Sequence, residues 1–254
     1  MLSRLFVEGL YIHWAKIDED CYLRRIEALK QLEELTFTSN ITIFVGENGT
    51  GKSTLLEAIA TAYGLNPEGG SRNFRFSTRE THSSLHRGLT LRKGHQRPRD
   101  SFFLRAESFY NVATQAEEYR DVTPPEIYYR QYGGRSPHEQ SHGESFLGLM
   151  QNRFSEKGLY LLDEPEAAIS PQRQLTLLIC LNRLALGGSQ FLIASHSPLL
   201  LGIPGAELLS FDQGRIHPVS YEETESYQVT EMFINHREYL LERLLKEGGN
   251  WDNK

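Results

Sequence analysis

The sequence predicts an α/β fold with a mostly parallel core sheet, and three observations lead to this prediction. Short apolar runs, which are typical of buried parallel strands, recur along the 254-residue chain. Segments with the apolar spacing of helices separate these runs. One of the runs passes directly into a glycine-rich turn and a helix. The strands are expected at 41–45, 101–106, 159–162 and 190–194.

The other elements are expected from the same periodicities. Apolar and polar residues alternate loosely over residues 5–14, which predicts an edge strand, and 208–221 is expected to form a hairpin. Residues 22–35 have the spacing of a helix, with a strand and a turn as the alternative. The stretch 66–100 is expected to contain short strands, exposed loops or partial disorder, and 122–141 is expected to be rich in loops. Helical spacing predicts further helices at 53–63, 143–153, 171–186 and near the C-terminal end.

Composition and charge limit the function classes. The chain has 39% hydrophobic and 24% charged residues and a formal charge of -6, which gives no global attraction to nucleic acid or to an anionic membrane. All apolar runs are shorter than the roughly 18 residues of a membrane-spanning helix. The two cysteines, Cys21 and Cys180, cannot form a disulfide framework. We therefore expect a cytoplasmic protein that does not insert into a membrane.

Residues 46–53 have the pattern Gly-x4-Gly-Lys-Ser between a predicted buried strand and a predicted helix. Glycines let such a loop turn its backbone N–H groups toward an anion, and the positive end of the helix dipole faces the same point. Lys52 has the length to reach the β- and γ-phosphates of ATP, and the Ser53 hydroxyl is a candidate Mg2+ ligand. The predicted nucleotide-binding residues are Gly46, Glu47, Asn48, Gly49, Thr50, Gly51, Lys52, Ser53 and Thr54.

Two later strands end in polar residues that suit phosphoryl transfer. Asp163 and Glu164 follow the run 159–162, and a metal–phosphate site needs a carboxylate beside the loop. Asp163 is the candidate metal ligand, and Glu164 is the candidate base for the attacking water. His196 follows the run 190–194 and is a candidate contact of the γ-phosphate. The predicted catalytic residues are Glu164, His196 and Lys52.

With these residues in place, the sequence resembles the ATP-binding-cassette (ABC) ATPases over nearly the whole chain. The stretch Ser141-His142-Gly143-Glu144 lies between the loop and Asp163 and is similar to the family's Leu-Ser-Gly-Gly-Gln signature. The resemblance implies a P-loop NTPase fold of the ABC head type, with an antiparallel β subdomain and an inserted helical signature lobe. It also implies an ATP-dependent homodimer, in which Ser141 and Gly143 contact the γ-phosphate bound by the other copy.

The same resemblance assigns further positions. His196 matches the family's switch histidine, and residues 166–171 match its D-loop, in which Ser170 stands where the family has Asp. Glu107 occupies the approximate position of the family's metal-contacting Gln, which has no direct match, and is therefore a further candidate metal ligand. For the adenine base, three side chains near the first strand remain as candidates, namely Tyr11, His13 and Trp14.

The order Asp-Glu-Pro-Glu at 163–166 is similar to the branch that contains RecF-like proteins and overcoming-lysogenization-defect nucleases. As a whole, the chain resembles small stand-alone bacterial AAA family ATPases of the AAA_21 and AAA_23 types. We expect a single ABC-type domain over residues 1–254. Its predicted lobes are an ATP-binding core at 1–105 and 156–221, a signature lobe at 106–155 and C-terminal helices at 222–254.

Segment lengths and local charge indicate which partners the protein can have. The 87 residues between Ser53 and Ser141 are too few for long coiled-coil arms, and the 58 residues after His196 are too few for a fused nuclease domain. We therefore expect a separate effector protein. From Arg72 to Arg105 there are eight Arg and one Lys against two acids, a local charge of +7. This stretch is either a DNA- or RNA-binding surface or a solvated lobe.

Three functions are compatible with these features. The first is an ATP-hydrolysing ABC-type ATPase that dimerises on ATP and acts as a switch for a partner, in DNA repair or antiviral defence. The second is the nucleotide-binding subunit of an ABC transporter, which shares the motifs and the size. The third is a binding module that holds ATP as a structural ligand, against which Asp163, Glu164 and His196 argue.

Overall fold

In the computed structural model, which describes residues 4–70, 83–109 and 129–247, strands alternate with helices along the chain. The strands are β1 (Val7–Ile12), β2 (Glu34–Thr36), β3 (Ile41–Val45), β4 (Leu89–Lys93), β5 (Ser101–Arg105), β6 (Leu159–Asp163), β7 (Gln190–Ala194), β8 (Glu207–Ser210) and β9 (His217–Pro218). The α-helices are α1 (Glu27–Lys30), α2 (Lys52–Tyr63), α3 (Leu85–Gly88), α4 (His142–Arg153), α5 (Pro171–Leu186), α6 (Pro198–Leu201), α7 (Glu225–Asn235) and α8 (Arg237–Glu247).

The core is a parallel sheet with the order β5-β6-β7-β3-β8, to which β9 adds as an antiparallel edge strand. β3, β6 and β7 are buried at every position, which explains why they are continuous apolar runs in the sequence. Helices cover both faces of this sheet. On β3, Phe44 packs in the hydrophobic cluster that contains Leu55 of α2, whereas Ile43 packs in the cluster that contains Leu177 of α5. The predicted α/β fold with a mostly parallel sheet is confirmed.

β1 lies in the middle of a second sheet, which is antiparallel and has the order β2-β1-β4. The prediction of an edge strand at residues 5–14 is therefore wrong. β1 is mostly buried because a strand lies along each of its edges, and Leu10 faces Leu35 on one side and Leu91 on the other. Neither neighbour has a clear strand pattern in the sequence, since β2 is short and β4 lies in the stretch 66–100, for which short strands were only one of the expectations. This sheet is the expected antiparallel β subdomain.

Most of the remaining predicted elements are present with small changes at their ends, but the continuous helix predicted over residues 22–35 is wrong. The hairpin corresponds to β8 and β9, and three predicted helices coincide with α2, α4 and α5. Residues 22–35 form a 3-10 turn at Tyr22–Arg25, then the short α1, then β2. The division into lobes stays a prediction, because residues 110–128 of the signature lobe lie outside the described ranges. Within those ranges, no helix has the length and apolar character needed to span a membrane.

A buried glutamine joins the two sheets. Gln190 begins β7 and is 1% exposed. Its Oε1 accepts hydrogen bonds from the N–H groups of Phe6 and Val7, both at 2.9 Å, and its Nε2 donates to the Val7 carbonyl at 2.7 Å. These bonds pair backbone groups at the start of β1 that are shielded from water.

Replacing Gln190 with Leu should lower the free energy of unfolding by about 2–4 kcal/mol, because it leaves buried backbone donors without an acceptor. Urea denaturation followed by circular dichroism measures the change. Gln228→Leu is the control, because Gln228 is exposed and bonds only at the surface, to the Glu222 carbonyl. Its effect should stay below about 0.5 kcal/mol. Equal effects of the two substitutions would contradict the proposed role of Gln190.

Candidate functional site

The loop at residues 46–51 connects β3 to α2 and turns at three glycines. Gly46, Gly49 and Gly51 have φ angles of 133°, 81° and 101°, which residues with a side chain rarely adopt. A Cβ atom at Gly51 would also lie 2.8 Å from the Ile26 side chain. The glycine pattern in the sequence therefore corresponds to a backbone that needs glycine, and α2 begins directly behind it with Lys52.

The Lys52 side chain folds over the loop and is 4% exposed. Its Nζ donates hydrogen bonds to the carbonyls of Gly46 and Glu47, both at 2.7 Å. Burial lowers the pKa of Lys52, while the carboxylates of Glu164 and Asp212 act in the opposite direction. The ammonium group is thus held at the centre of a loop whose geometry suits a phosphate.

The other loop residues lie around this ammonium group. Glu47 and Asn48 are exposed, and Thr50 Oγ1 donates to the Glu47 carbonyl at 2.8 Å. Asp212, which was not among the predicted site residues, accepts a hydrogen bond from the Glu47 N–H through Oδ1 at 3.0 Å. It follows β8, and the Ser210 hydroxyl donates to its other oxygen at 3.1 Å. Asp212 therefore anchors the start of the loop to the strand beside β3.

The first turn of α2 and the end of β6 meet at the predicted metal site. Ser53 Oγ donates a hydrogen bond to Asp163 Oδ1 at 2.7 Å, and Asp163 is 5% exposed. Burial raises the pKa of Asp163, while the Ser53 hydrogen bond and the charge of Arg105 oppose that rise. Thr54, the next residue of the turn, is half-buried. A hydroxyl and a carboxylate in contact fit Mg2+, which takes few protein ligands and completes its shell with water and phosphate oxygens.

Arg105 belongs to this site, although the sequence analysis did not select it. It ends β5 opposite Asp163 at the end of β6, and its Nε lies 3.2 Å from Asp163 Oδ2. Its Nη1 lies 2.8 Å from Glu57 Oε2 of α2. Glu107, the further candidate metal ligand, has an exposed side chain and no hydrogen bond or ion pair to the described residues, so its role stays a prediction. In the sequence, Arg105 could have been found from its position at the end of a predicted strand, because the ends of parallel strands meet at one edge of the sheet.

Glu164 and His196 lie at the open side of the site. Glu164 has a left-handed backbone, with φ 50° and ψ 51°, and its N–H donates to the Ala194 carbonyl at 2.9 Å. Its side chain is 46% exposed, and its Oε1 lies 4.0 Å from His196 Nε2, which is too far for a hydrogen bond. Burial and, after it, the charge of Lys52 lower the pKa of His196. The Glu164 carboxylate is therefore open to a ligand, whereas His196 Nε2 is buried and has no hydrogen-bond partner among the described residues.

Two clefts flank the loop. A cleft of about 810 Å³ has Glu164 and His196 in its wall, together with Asn48 and one face of α7. On the other side of the loop, a cleft of about 1100 Å³ is lined by Tyr22, Arg25 and loop residues that include Asn48. The Tyr22 side chain is 54% exposed. An aromatic ring and a guanidinium beside the loop are suited to stacking on a nucleobase.

The predicted adenine contacts lie elsewhere. Tyr11, His13 and Trp14 line neither of these two clefts. Trp14 Nε1 donates to the Leu32 carbonyl at 3.0 Å, and the Arg92 guanidinium lies 5.9 Å from the centre of the Tyr11 ring. Both rings therefore contribute to packing around the antiparallel sheet.

The predicted signature residues begin α4 and do not line either cleft. Ser141 is the N-cap, and Glu144 Oε2 accepts from its N–H at 3.1 Å and from its hydroxyl at 2.8 Å. Gly143 packs on the D-loop segment, because a Cβ atom there would lie 3.1 Å from the Ala168 carbonyl and 2.7 Å from Arg173 Nη1. Arg173 Nη2 also lies 3.3 Å from Glu144 Oε1. The start of α4 thus packs against Ala168, in the predicted D-loop segment, and against Arg173 at the start of α5.

Replacing Arg105 with Met should lower the free energy of unfolding by about 2–4 kcal/mol at pH 8, because the buried carboxylates of Asp163 and Glu57 lose their cation. The loss should shrink toward pH 5. Burial already raises the pKa of Asp163, and without the arginine that pKa rises further, so acid neutralises the unpaired group. Urea denaturation at both pH values measures the two effects.

Arg243→Met is the control for this prediction. Arg243 is exposed on α8, where its Nη1 donates to the Tyr239 hydroxyl at 3.0 Å. Its replacement should change the free energy of unfolding by less than about 0.5 kcal/mol at either pH. A loss for Arg105→Met that is independent of pH would contradict the electrostatic explanation.

Two family models match the chain. The AAA_23 model, described as "AAA domain", matches residues 22–131. The AAA_21 model, described as "AAA domain, putative AbiEii toxin, Type IV TA system", matches residues 145–202. The first range contains the phosphate loop and Arg105, and the second contains Asp163, Glu164 and His196.

Individual proteins with known names are similar as well. A "Putative ABC transporter ATP-binding protein" from Streptomyces avermitilis is 28% identical over 180 residues, which are 68% of this chain and 31% of the relative. The chain thus spans less than a third of that protein's length. The solved "SMC head domain from Thermotoga maritima" is 15% identical, with a TM-score of 0.45 over 85% of this chain and 100% of that one. "An inward-facing conformation of a putative metal-chelate type ABC transporter" is 18% identical, with a TM-score of 0.45 over 78% of this chain and 80% of that one.

The matched ranges contain the groups that meet in the structure. The loop and α2 fall in the first range, and the ends of β6 and β7 fall in the second. Both models are AAA domains, and the curated relative carries an ABC name. Over both parts of the site, the chain is therefore similar to AAA-domain proteins and to an ABC-type ATP-binding protein.

Proposed function

We propose that this chain binds ATP with Mg2+ and hydrolyses it, and that two copies associate on ATP to act as a switch for a partner protein. The observation that carries the proposal is the convergence of five groups at one edge of the sheet. Lys52 and Ser53 come from α2, Asp163 and Glu164 from the end of β6, and His196 from the end of β7. Similarity to the AAA_23 domain model and to a relative named as an ATP-binding protein supports ATP as the nucleotide.

Each group has a proposed role that its surroundings support. Lys52 would exchange two loop carbonyls for β- and γ-phosphate oxygens, and Ser53 and Asp163 would hold Mg2+, which would neutralise phosphate charge. The Glu164 carboxylate accepts a proton from the water that attacks the γ-phosphorus, while the bond to the bridging oxygen breaks and ADP leaves. His196, whose Nε2 has no hydrogen-bond partner among the described residues, contacts the γ-phosphate.

The signature residues support a site made by two copies. Ser141 and Gly143 lie at the N-terminal end of a 12-residue helix, where free backbone N–H groups can bind an anion. They do not line the two clefts beside their own phosphate loop. A symmetric homodimer that places this helix end against the γ-phosphate of the other copy would complete two equivalent sites.

Glu164→Gln should still bind ATP, because the amide keeps the shape of the carboxylate, but it cannot take up the proton. Its phosphate release should fall by about 100-fold or more relative to the wild type. Light scattering should show a dimer of this variant with ATP and a monomer without ATP. Lys52→Ala is the matched control, and it should lose nucleotide binding, phosphate release and dimerisation together.

The catalytic role and the ATP-dependent dimer would be contradicted by different experimental results. Equal phosphate release by the wild type and Lys52→Ala would refute the catalytic role. An unchanged mass of Glu164→Gln on addition of ATP would refute the ATP-dependent dimer. Tight ATP binding by a wild type that releases no phosphate would instead favour the module that holds ATP as a structural ligand.

We further propose that the switch responds to nucleic acid, DNA or RNA. A basic cleft of about 680 Å³, defined here by Lys93, Arg97, Arg99 and Arg153, lies where β5 begins, whereas the ATP site lies where β5 ends. The first three side chains are exposed and reach solvent. Clustered cations of this kind attract a phosphate backbone even on an acidic protein. Residues 72–82 of the predicted basic stretch lie outside the described ranges.

The triple variant Lys93→Glu, Arg97→Glu and Arg99→Glu tests the basic cleft. Wild-type binding to a short DNA or RNA duplex should weaken with salt, and each lost phosphate contact should reduce the log–log salt slope by about 0.9. Fluorescence anisotropy across a salt series measures the slope. The control reverses three exposed cations of α8, namely Arg237, Arg243 and Lys246. An equal loss of binding in both variants would attribute the effect to net charge and contradict the cleft.

The cellular role belongs to the same proposal. The toxin–antitoxin wording of the AAA_21 description supports antiviral defence, and the basic cleft supports DNA repair. We propose a cytoplasmic location and a separate effector protein. Both cysteines, Cys21 and Cys180, are free thiols, which agrees with a reducing compartment.

The second candidate is the nucleotide-binding subunit of an ABC transporter, which the name of the curated relative favours. Purification of tagged Glu164→Gln from cells in the presence of ATP separates the two candidates. A polytopic membrane protein in the purified complex would support the transporter. A complex with a nuclease or another nucleic-acid enzyme, and without a membrane protein, would support the switch.

A further inference from the structure

Glu166 lies two residues after Glu164 and contacts the loop that carries His196. Its Oε1 accepts three hydrogen bonds, from Ser195 Oγ at 3.0 Å, from the His196 N–H at 2.5 Å and from the Ser197 N–H at 3.2 Å. Its Oε2 is buried and has no hydrogen-bond partner within the described part of the chain. One carboxylate thus satisfies polar groups of three consecutive residues at the end of β7.

The backbone on both sides keeps these groups together. Glu164 is in the left-handed region, and Pro165 then begins a 3-10 turn that brings Glu166 back toward the end of β7. On the other side, Ser197 Oγ donates to Gln174 Oε1 of α5 at 2.6 Å and accepts from the first turn of α6. The His196 loop is therefore attached to the Glu166 carboxylate at one end and to α5 at the other.

The two glutamates of this turn both line the cleft of about 810 Å³, but their carboxylates differ in exposure and in hydrogen bonding. Glu164 is 46% exposed at the cleft, where a proton can enter and leave its carboxylate. Glu166 is largely buried and its Oε1 accepts three donors, so it is suited to holding other groups in place. Two carboxylates that differ in this way are suited to two different tasks.

We propose that Glu166 is a positioning residue for hydrolysis, which fixes the main chain of His196 so that the imidazole faces the γ-phosphate. It also couples the His196 loop to the turn that carries Glu164, so that the two groups move as one unit. The inference rests on the ATPase function proposed above. Glu166 acts through the backbone of His196 and does not itself need to contact the nucleotide.

The expected effect of each substitution of Glu166 follows from the three hydrogen bonds that its Oε1 accepts. Burial raises the pKa of Glu166, while the hydrogen bonds from the His196 N–H and the Ser195 hydroxyl oppose that rise. In its ionised form, the carboxylate makes shorter and stronger bonds to N–H donors than an amide oxygen does. Glu166→Gln keeps one acceptor but places an NH2 group at the buried Oε2 position, which receives no hydrogen bond from the described residues in the wild type. Glu166→Ala leaves all three donors without this acceptor.

Steady-state hydrolysis and ATP binding of these two variants test the inference. Glu166→Gln should lower kcat by about 10-fold and Glu166→Ala by about 100-fold, because a displaced His196 loses a contact made in the transition state. The Kd for ATP should change by less than about 3-fold, since the phosphate loop is untouched. The smaller effect of the amide is itself part of the expectation, because it keeps one acceptor.

Glu207 provides a matched control. Its carboxylate also accepts three hydrogen bonds, from the Thr38 N–H at 3.1 Å, from Thr38 Oγ1 at 2.6 Å and from Thr42 Oγ1 at 3.0 Å. It begins β8 and lines neither cleft beside the phosphate loop. Glu207→Gln and Glu207→Ala should leave kcat within about 2-fold of the wild type.

A kcat for folded Glu166→Ala within about 3-fold of the wild type would overturn the inference, as would an equal loss of kcat and ATP affinity. If Glu166→Ala does not fold, Glu166→Gln decides by the same criteria. Amide hydrogen exchange of the nucleotide-free protein gives a measurement that needs no activity. The His196 and Ser197 amides should exchange about 10-fold faster in Glu166→Gln than in the wild type or Glu207→Gln.

These two measurements separate the inference from the proposed function. A wild type without ATP hydrolysis would refute the ATPase proposal, whatever the exchange rates are. Unchanged exchange at His196 and Ser197 in Glu166→Gln would refute the coupling, even if the wild type hydrolyses ATP.

Discussion

The hydrogen bond from Ser53 Oγ to Asp163 Oδ1 is the contact on which the rest of the site depends. It joins residues 110 positions apart, one at the start of α2 and one at the end of a strand that β7 separates from β3. Because α2 begins directly after the phosphate loop, the bond also places the loop over the carboxyl edge of the sheet. Glu164 and His196 follow at the ends of β6 and β7, on the same edge.

Charge balance explains why so many carboxylates can lie near this contact. Asp163 and Glu57 share the Arg105 guanidinium, and Glu164 and Asp212 act on the Lys52 ammonium. Carboxylates buried without such cations would favour the neutral form and lose the charge that a metal–phosphate site requires. One of the two cations, Arg105, lies beside Asp163, and the other, Lys52, lies inside the loop.

The departures from the ABC signature have a structural explanation in this chain. Glu144 stands where the family has Gln, and its carboxylate closes a capping box with Ser141 and pairs with Arg173. Gly143 is retained where the Ala168 carbonyl approaches closely. The start of α4 is thus held against the turn that follows Glu164 and Glu166, so that Ser141, Glu164 and the His196 loop belong to one set of connected segments.

By itself, the sequence determined the parallel α/β core, the phosphate loop and the order of Asp163, Glu164 and His196 along the chain. These features depend on local properties, namely hydrophobic periodicity and the positive φ angles that only glycine adopts readily. Only the tertiary structure decided that β1 is central, that Arg105 meets Asp163, and that Tyr22 flanks the loop. These outcomes depend on strand order and register, which join residues far apart in the chain and have no local sequence pattern.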